Sequence, residues 1–187
     1  MALDYMENKI IEHCAPTLAG MKSASLFSYF FDDRQDAVSQ LRQVNLRLND
    51  RGVYVEALLW RDDSVLIYAY RKRQLERELG NPEVKKLLAE YGYIESEING
   101  CIEHLKKRLY DYVCFPHEIG IFLGYPLDDV VGFIENRGQN CKYCGLWKVY
   151  GDESETRRLF AKLEKCTKVY MKVFSEGRTI TQLTVCA

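Results

Sequence analysis

The chain of 187 residues carries 26 Lys and Arg against 27 Asp and Glu, a formal net charge of −1, which supplies no global positive field for nucleic acid or an acidic membrane surface. With 47% hydrophobic residues it can bury a core, which excludes a disordered chain. No apolar run approaches the ~20 residues that cross a bilayer, so we expect no membrane span.

The N-terminal segment, MALDYMENKIIEH, has acidic residues where a secretory signal has basic ones followed by an apolar block. Seven cysteines, an odd number, are spread along the chain. We therefore expect a cytoplasmic protein in which most cysteines are free thiols.

Residues 1–70 predict an N-terminal helix followed by a β-α-β-β unit. MENKIIEHC is typical of a short helix, and APTLAGMK, with its proline and glycine, of a loop. SASLFSYFF predicts a strand, and the three- and four-residue spacing of apolar residues in DDRQDAVSQLRQVNLRLND predicts a helix with Asp32 or Asp33 as its cap. VYVEALLW and SVLIYAYR are typical of two strands joined as a hairpin.

Residues 71–140 are predicted to form a helical insert. RKRQLERELG, PEVKKLLAEYG and IESEINGCIEHLKKRLYDY each favour a helix, and their basic residues alternate with Glu as on a solvated face. FPHEIGIFLG then predicts a short helix from Pro116, and LDDVVGFIENRG a second helix after a break at Gly124.

Residues 141–187 repeat the order of the first unit. GLWKVY predicts a strand, Asp152 a helix cap, and KVYMKVF and TITQLTV two further strands. We therefore predict a single α+β domain, with an antiparallel sheet from two β-α-β-β units and a helical insert between them. The exposed edges of such a small sheet make a homodimer plausible.

The stretch around FPHEIGIFLGYP allows three interpretations, of which the first is a helix-turn-helix in a regulatory or interaction module. The second of its helices carries Asp128, Asp129 and Glu135, whereas phosphate contacts need Lys or Arg. This charge disfavours binding of nucleic acid.

The second interpretation is thiol chemistry. A cysteine early in the chain with a histidine further on is the order of papain-like cysteine enzymes. Cys14 would be the nucleophile and His117 its base. Glu118 would orient the histidine or act as an acid, and Lys22 would hold an anion. A cysteine-dependent transferase or hydrolase is the corresponding enzyme class, and a buried cysteine with a helix-capping histidine is the structural alternative.

The third interpretation is a metal site. Cys141 and Cys144 have the C-x-x-C spacing that lets two thiolates reach one tetrahedral ion. Cys114 and His117 could complete the site, which would then hold zinc or iron. Unrelated thiols or a redox-labile pair explain the same spacing.

HCAPTLAGMK and FPHEIGIFLGYPLDDVVGFIENRG, with the following CGLWKVYGD, resemble a bacterial family known only as a domain of unknown function. The resemblance covers nearly the whole chain and implies no assigned activity, substrate or catalytic residue. It does imply that two blocks mark the family, and their polar residues favour a shared site over shared packing. Those residues are His13, Cys14, Thr17 and Lys22 in the first block, and His117, Glu118 and Tyr125 in the second.

We therefore expect a small polar pocket where the Cys14-to-Lys22 loop meets His117 and Glu118. Such a pocket would bind a small molecule or a peptide, with thiol chemistry in its catalytic version. The metal-binding protein and the interaction module stay as alternatives from other classes.

Overall fold

The computed structural model describes residues 2–94, 97–111 and 115–186, and of residues 2–4 only the backbone. Its contacts divide the chain into two compact units. Residues 1–75 and 166–187 form the first unit, and residues 76–165 form the second. The prediction of a single domain with an insert at 71–140 stays a prediction.

The helices in chain order are α1 (Ala2–Leu18), α2 (Arg34–Leu48), α3 (Lys72–Leu79), α4 (Pro82–Glu90), α5 (Ile98–Asp111), α6 (Ile119–Phe122), α7 (Leu127–Glu135), α8 (Glu153–Ser175) and α9 (Ile180–Leu183). The strands are β1 (Ala24–Phe30), β2 (Val53–Trp60), β3 (Ser64–Arg71), β4 (Tyr143–Cys144) and β5 (Lys148–Val149). The predicted α+β class is confirmed.

The first unit contains the predicted β1-α2-β2-β3 order. Its three strands form an antiparallel sheet in the order β1-β3-β2. Asp33 caps α2 as expected, because its side chain accepts a hydrogen bond from the backbone N–H of Gln35 over 2.8 Å. Apolar residues of α1, α2, the sheet and the end of α8 share one buried core.

The loop predicted for APTLAGMK begins later than expected, because α1 continues through Pro16 to Leu18. Ala15 and Leu18 are completely buried, so packing of this last turn offsets the helix hydrogen bond that proline cannot donate. Gly20 then ends the segment with φ +73°, a conformation that favours glycine.

The second β-α-β-β unit predicted for residues 141–187 is wrong. KVYMKVF belongs to α8, and TITQLTV contains α9. Tyr170, Met171 and Phe174 recur at helical spacing and pack on the core of the first unit, which overrides their strand propensity. Thr179 and Gln182 form a capping box that starts α9, a signal that the sequence carried.

The second unit contains the three predicted helices of the insert as α3 (from Glu76), α4 and α5, followed by α6 and α7. Of the strand predicted for GLWKVY, only the two residues of β5 form a strand, which pairs antiparallel with β4. Asp152 caps α8 as expected, accepting from the backbone N–H of Glu155 over 2.9 Å. Within the described residues, every helix is too short or too polar to cross a membrane.

Candidate functional site

A cavity of about 330 Å³ lies within the second unit, where α6, α7 and the β4–β5 turn come together. This volume falls at the lower end of the range for small-molecule sites, roughly 300–1,000 Å³. Its walls are mainly apolar and aromatic, with four ionisable side chains among them. The lining residues are Phe115, His117, Ile119, Gly120, Leu123, Tyr125, Asp129, Val130, Phe133, Leu146, Trp147 and Lys148.

Asp129 in the first turn of α7 organises one wall of this cavity. Its carboxylate is buried and accepts three hydrogen bonds, so both oxygens are engaged. Oδ2 accepts from the Trp147 indole N–H over 2.7 Å. Oδ1 accepts from the backbone N–H groups of Tyr150 and Gly151 over 2.7 and 2.8 Å. Asp129 thereby fastens both the β4–β5 turn and the residues that follow β5 to α7.

The indole of Trp147 is held between two other rings. It stacks on Tyr125 with ring centroids 4.5 Å apart and contacts Phe160 edge-on at 4.4 Å. Burial raises the pKa of the Tyr125 phenol, so this group stays neutral. The aromatic wall is therefore rigid and already formed, which lowers the entropy cost of binding a flat ligand.

His117 and Lys148 lie on the same side of the cavity as Phe133. The imidazole contacts the Phe133 ring edge-on at 5.0 Å, and the residue is exposed. Lys148 Nζ donates to the carbonyl oxygen of Gly138 over 2.6 Å and lies 5.9 Å from the centroid of the Phe133 ring. Gly138 has φ +72°, which sets the path of the loop that provides this carbonyl.

Glu118 has different surroundings from its neighbour His117, because it is completely buried. It forms an ion pair with Arg108 of α5 and accepts a hydrogen bond from the Tyr93 hydroxyl over 3.2 Å. Burial and the nearby Glu118 raise the pKa of the Tyr93 phenol. These contacts fasten α6 to α5, so Glu118 supports the cavity wall from behind. Its predicted role as orienter of His117 stays a prediction.

The helix-turn-helix-like pair consists of α6 and α7, separated by Gly124 with φ +68°. The single turn of α6 packs tightly, since a Cβ on Gly120 would lie 2.8 Å from Val130. Gly132 of α7 is covered by the Tyr150 side chain, where an added Cβ would lie 2.5 Å from Tyr150 Cβ and Cγ. One face of α7 therefore packs inside the unit, and its acidic residues disfavour a DNA-reading role.

Cys14 lies in α1 of the first unit and is completely buried. Burial raises the pKa of its thiol to about 12, although the Lys22 ammonium and a hydrogen bond with Ser25 act in the opposite direction. Cys14 and Lys22 are thus near one another, and their role in a shared site stays a prediction. Because His117 belongs to the second unit, its pairing with Cys14 stays a prediction.

Arg71 binds backbone groups of the HCAPTLAGMK block. From the sequence, this arginine was expected only on a solvated helical face. It is 3% exposed, and its guanidinium donates to the carbonyl oxygens of Thr17 and Leu18 and, over 2.8 Å, to that of Val185. A cation at the end of α1 also complements the helix dipole. Thr17 adds a hydrogen bond of 2.9 Å between its hydroxyl and that of Ser25.

Of the predicted metal ligands, Cys141 is half-buried, Cys144 is exposed, and both are free thiols. Cys114 lies outside the described residues. Across residues 2–94, 97–111 and 115–186, no three His, Cys, Asp or Glu side chains come together as a metal site. The zinc or iron site therefore stays a prediction that depends on metal analysis.

The chain belongs to a family described as a protein of unknown function (DUF3793), whose model matches residues 10–184. Neither the curated proteins nor the solved structures provided a match. The resemblance to an uncharacterised family is thereby confirmed, and the comparisons assign no function.

The structure brings together one predicted site residue, His117, with three that the sequence interpretation did not select as site residues: Asp129, Trp147 and Lys148. Asp129 was used only as evidence against DNA binding, and the other two were assigned to a strand. The available signal was the family resemblance itself, which included Tyr125 and CGLWKVYGD.

Proposed function

We propose that this protein binds a small molecule in the cavity between α6, α7 and the β4–β5 turn. The observation that carries the proposal is a preformed aromatic cavity of about 330 Å³ with His117, Asp129 and Lys148 in its lining. Apolar walls with a few placed polar groups are the usual character of small-molecule sites. Asp129 and Trp147 support it further, because their hydrogen bond fixes a wall of the cavity.

The proposal is tested with a fragment library screened by ligand-observed NMR. Leu146 lines the cavity and is 48% exposed, so Leu146→Arg should obstruct the opening without disturbing a core. Leu46 in α2 is 72% exposed and lies outside the cavity, which makes Leu46→Arg the matched control. We expect fragments that bind the native chain and Leu46→Arg but not Leu146→Arg.

Fragments that bind Leu146→Arg as well as the native chain would contradict the proposal, and so would a screen without any ligand. Circular dichroism of both variants establishes that the fold is retained.

Thiol chemistry is a catalytic version of the function that does not depend on this cavity, with Cys14 as nucleophile, His117 as base, and Glu118 and Lys22 in support. It requires an activated Cys14 thiolate, which iodoacetamide at neutral pH would label before the other cysteines. Burial of Cys14 favours the opposite order, in which the exposed Cys144 and Cys186 react first. Early labelling of Cys14 would support the catalytic version, and late labelling would contradict it.

We also propose that the protein works in the cytoplasm. Six cysteines among the described residues are free thiols, as is usual in a reducing compartment. Expression of a fluorescent fusion, with its localisation observed in cells, tests this assignment.

A further inference from the structure

The charged groups of the cavity differ in what they can still offer to a ligand. Asp129 is engaged through both carboxylate oxygens by three N–H donors, which also compensate its negative charge. A cationic ligand would have to displace these donors or share their acceptor. The carboxylate is therefore a structural element of the wall and a poor partner for a ligand cation.

Lys148 is in the opposite situation. Its ammonium has three N–H donors, and the Gly138 carbonyl takes one of them. Within residues 2–94, 97–111 and 115–186, no carboxylate lies within ion-pair distance of Lys148 Nζ. Two donors and a full positive charge therefore remain beside an apolar cavity, where a charge-assisted hydrogen bond is strong.

The position of this ammonium is set by its neighbours. Lys148 lies in β5, which pairs with β4, and its Nζ is held near the Gly138 carbonyl and the Phe133 ring. The aromatic side chains of Tyr125, Phe133 and Trp147 line the same cavity. A flat apolar body and an anionic group are thus the two features that a ligand needs.

We propose that the cavity selects small planar aromatic acids, with the ring against the aromatic wall and the anionic group paired with Lys148. This inference rests on the proposed function, since it names the ligand class of the same site. His117 at the exposed side of the cavity supplies a further hydrogen-bonding group for the acid.

The test uses matched acids, amides and amines that share one ring system. The probes are indole-3-acetate, indole-3-acetamide and tryptamine, and 1-naphthoate, 1-naphthamide and 1-naphthylmethylamine. Binding is measured by saturation-transfer NMR for both series. For the naphthyl series it is also measured by fluorescence of Trp147 in a Trp60→Phe background, because the chain has only two tryptophans. We expect each acid to bind about tenfold or more tightly than its amide, and the amine to bind least.

Lys148→Met should abolish the preference for the acid while the amide still binds, and Lys148→Arg should retain it. Lys142 provides a matched control, because it lies in the same hairpin and donates to the Gly151 carbonyl over 2.7 Å but does not line the cavity. Lys142→Met should leave the preference unchanged, which separates charge in the cavity from charge on the hairpin.

Amides or amines that bind as tightly as the acids would overturn the inference and leave the proposed function intact. The same conclusion follows if Lys148→Met and Lys142→Met reduce acid binding equally. Absence of binding by all six probes would also overturn the inference, whereas the proposed function fails only if the fragment screen fails as well.

Discussion

The indole N–H of Trp147 donates to the carboxylate of Asp129 over 2.7 Å, so a buried charge directly holds the aromatic wall of the cavity. The two residues lie 18 positions apart in the chain, on different elements. The contact joins the start of α7 to the turn before β5, and both residues line the cavity.

Removal of the Asp129 charge should destabilise this wall. Asp129→Ala leaves three buried or half-buried N–H donors without their acceptor, at a cost of about 2–4 kcal/mol in the free energy of unfolding. Asp129→Asn should cost less, because one oxygen remains as an acceptor. Urea unfolding followed by Trp147 fluorescence in the Trp60→Phe background measures both effects.

Asp128→Asn is the control for this prediction, since Asp128 is exposed in the same first turn of α7. We expect it to change the free energy of unfolding by less than about 1 kcal/mol. Equal effects of the two Asn substitutions would contradict a special role for Asp129.

The buried ion pair between Arg108 and Glu118 should be costly to break. Glu118→Gln preserves shape but leaves the Arg108 side chain, which is 12% exposed, without the Glu118 charge. We expect a loss of about 3–5 kcal/mol in the free energy of unfolding. Glu103→Gln, which disrupts an exposed pair with Lys106, should cost less than about 1 kcal/mol.

Chemical denaturation of both variants provides the measurement for this pair. A Glu118→Gln variant as stable as Glu103→Gln would contradict the assignment of Glu118 to the support of α6.

Arg71 should stabilise the first unit through its carbonyl contacts. Arg71→Met removes donors from the carbonyl oxygens of Thr17, Leu18 and Val185, and we expect a loss of about 2–4 kcal/mol. Arg71→Lys should give an intermediate loss, because an ammonium lacks the planar fork of a guanidinium. Thermal unfolding measures the series, and Arg73→Met is the exposed control with an expected change near zero.

The Cys14 thiol should make stability depend on alkaline pH. Its folded pKa of about 12 lies above the ordinary value of 9.0, so the unfolded chain loses this proton first. The protonated thiol therefore makes its full contribution to the free energy of unfolding below pH 9. This contribution is lost as the pH rises from 9 towards 12, by about 1.4 kcal/mol per pH unit. Cys14→Ala should show a smaller loss between pH 9 and 10.5 in urea unfolding.

Cys186→Ala is the control for the pH series, because Cys186 is exposed. The raised pKa of Cys14 would be contradicted if the free energy of unfolding fell equally with pH in the native protein, Cys14→Ala and Cys186→Ala.

Metal content tests the Cys141–Cys144 prediction. A structural site that uses both thiolates should yield about one equivalent of zinc or iron in protein purified without chelator. The metal should be absent from Cys141→Ser and Cys144→Ser and retained in Cys166→Ser. Less than about a tenth of an equivalent in the native protein would contradict a structural metal site.

Several elements could be predicted because their signals are local. The spacing of Leu41, Val44 and Leu48 predicts α2, and the cap at Asp33 predicts where it begins. The hairpin of β2 and β3 follows from two strand-like segments and a short polar turn. In each case the interaction partners lie within a few residues or along one helix face.

Residues 168–174 show where local propensity fails. The segment KVYMKVF is rich in residues that favour strands, yet it continues α8. Burial of Tyr170 and Phe174 against the core of the first unit compensates for the weaker helix propensity. That core is built from residues distant in the chain. A short stretch of sequence therefore does not contain the residues whose packing makes this segment helical.

Patterns along the chain were enough to predict the α+β class, the first β-α-β-β order, the break at Gly124 and the resemblance to an uncharacterised family. The folded chain was needed to show that Asp129 accepts N–H groups from residues 18 to 22 positions away, and that Lys148 lines a cavity with His117. Hydrogen bonds and burial depend on distance in space, whereas the patterns of a sequence report neighbours along the chain.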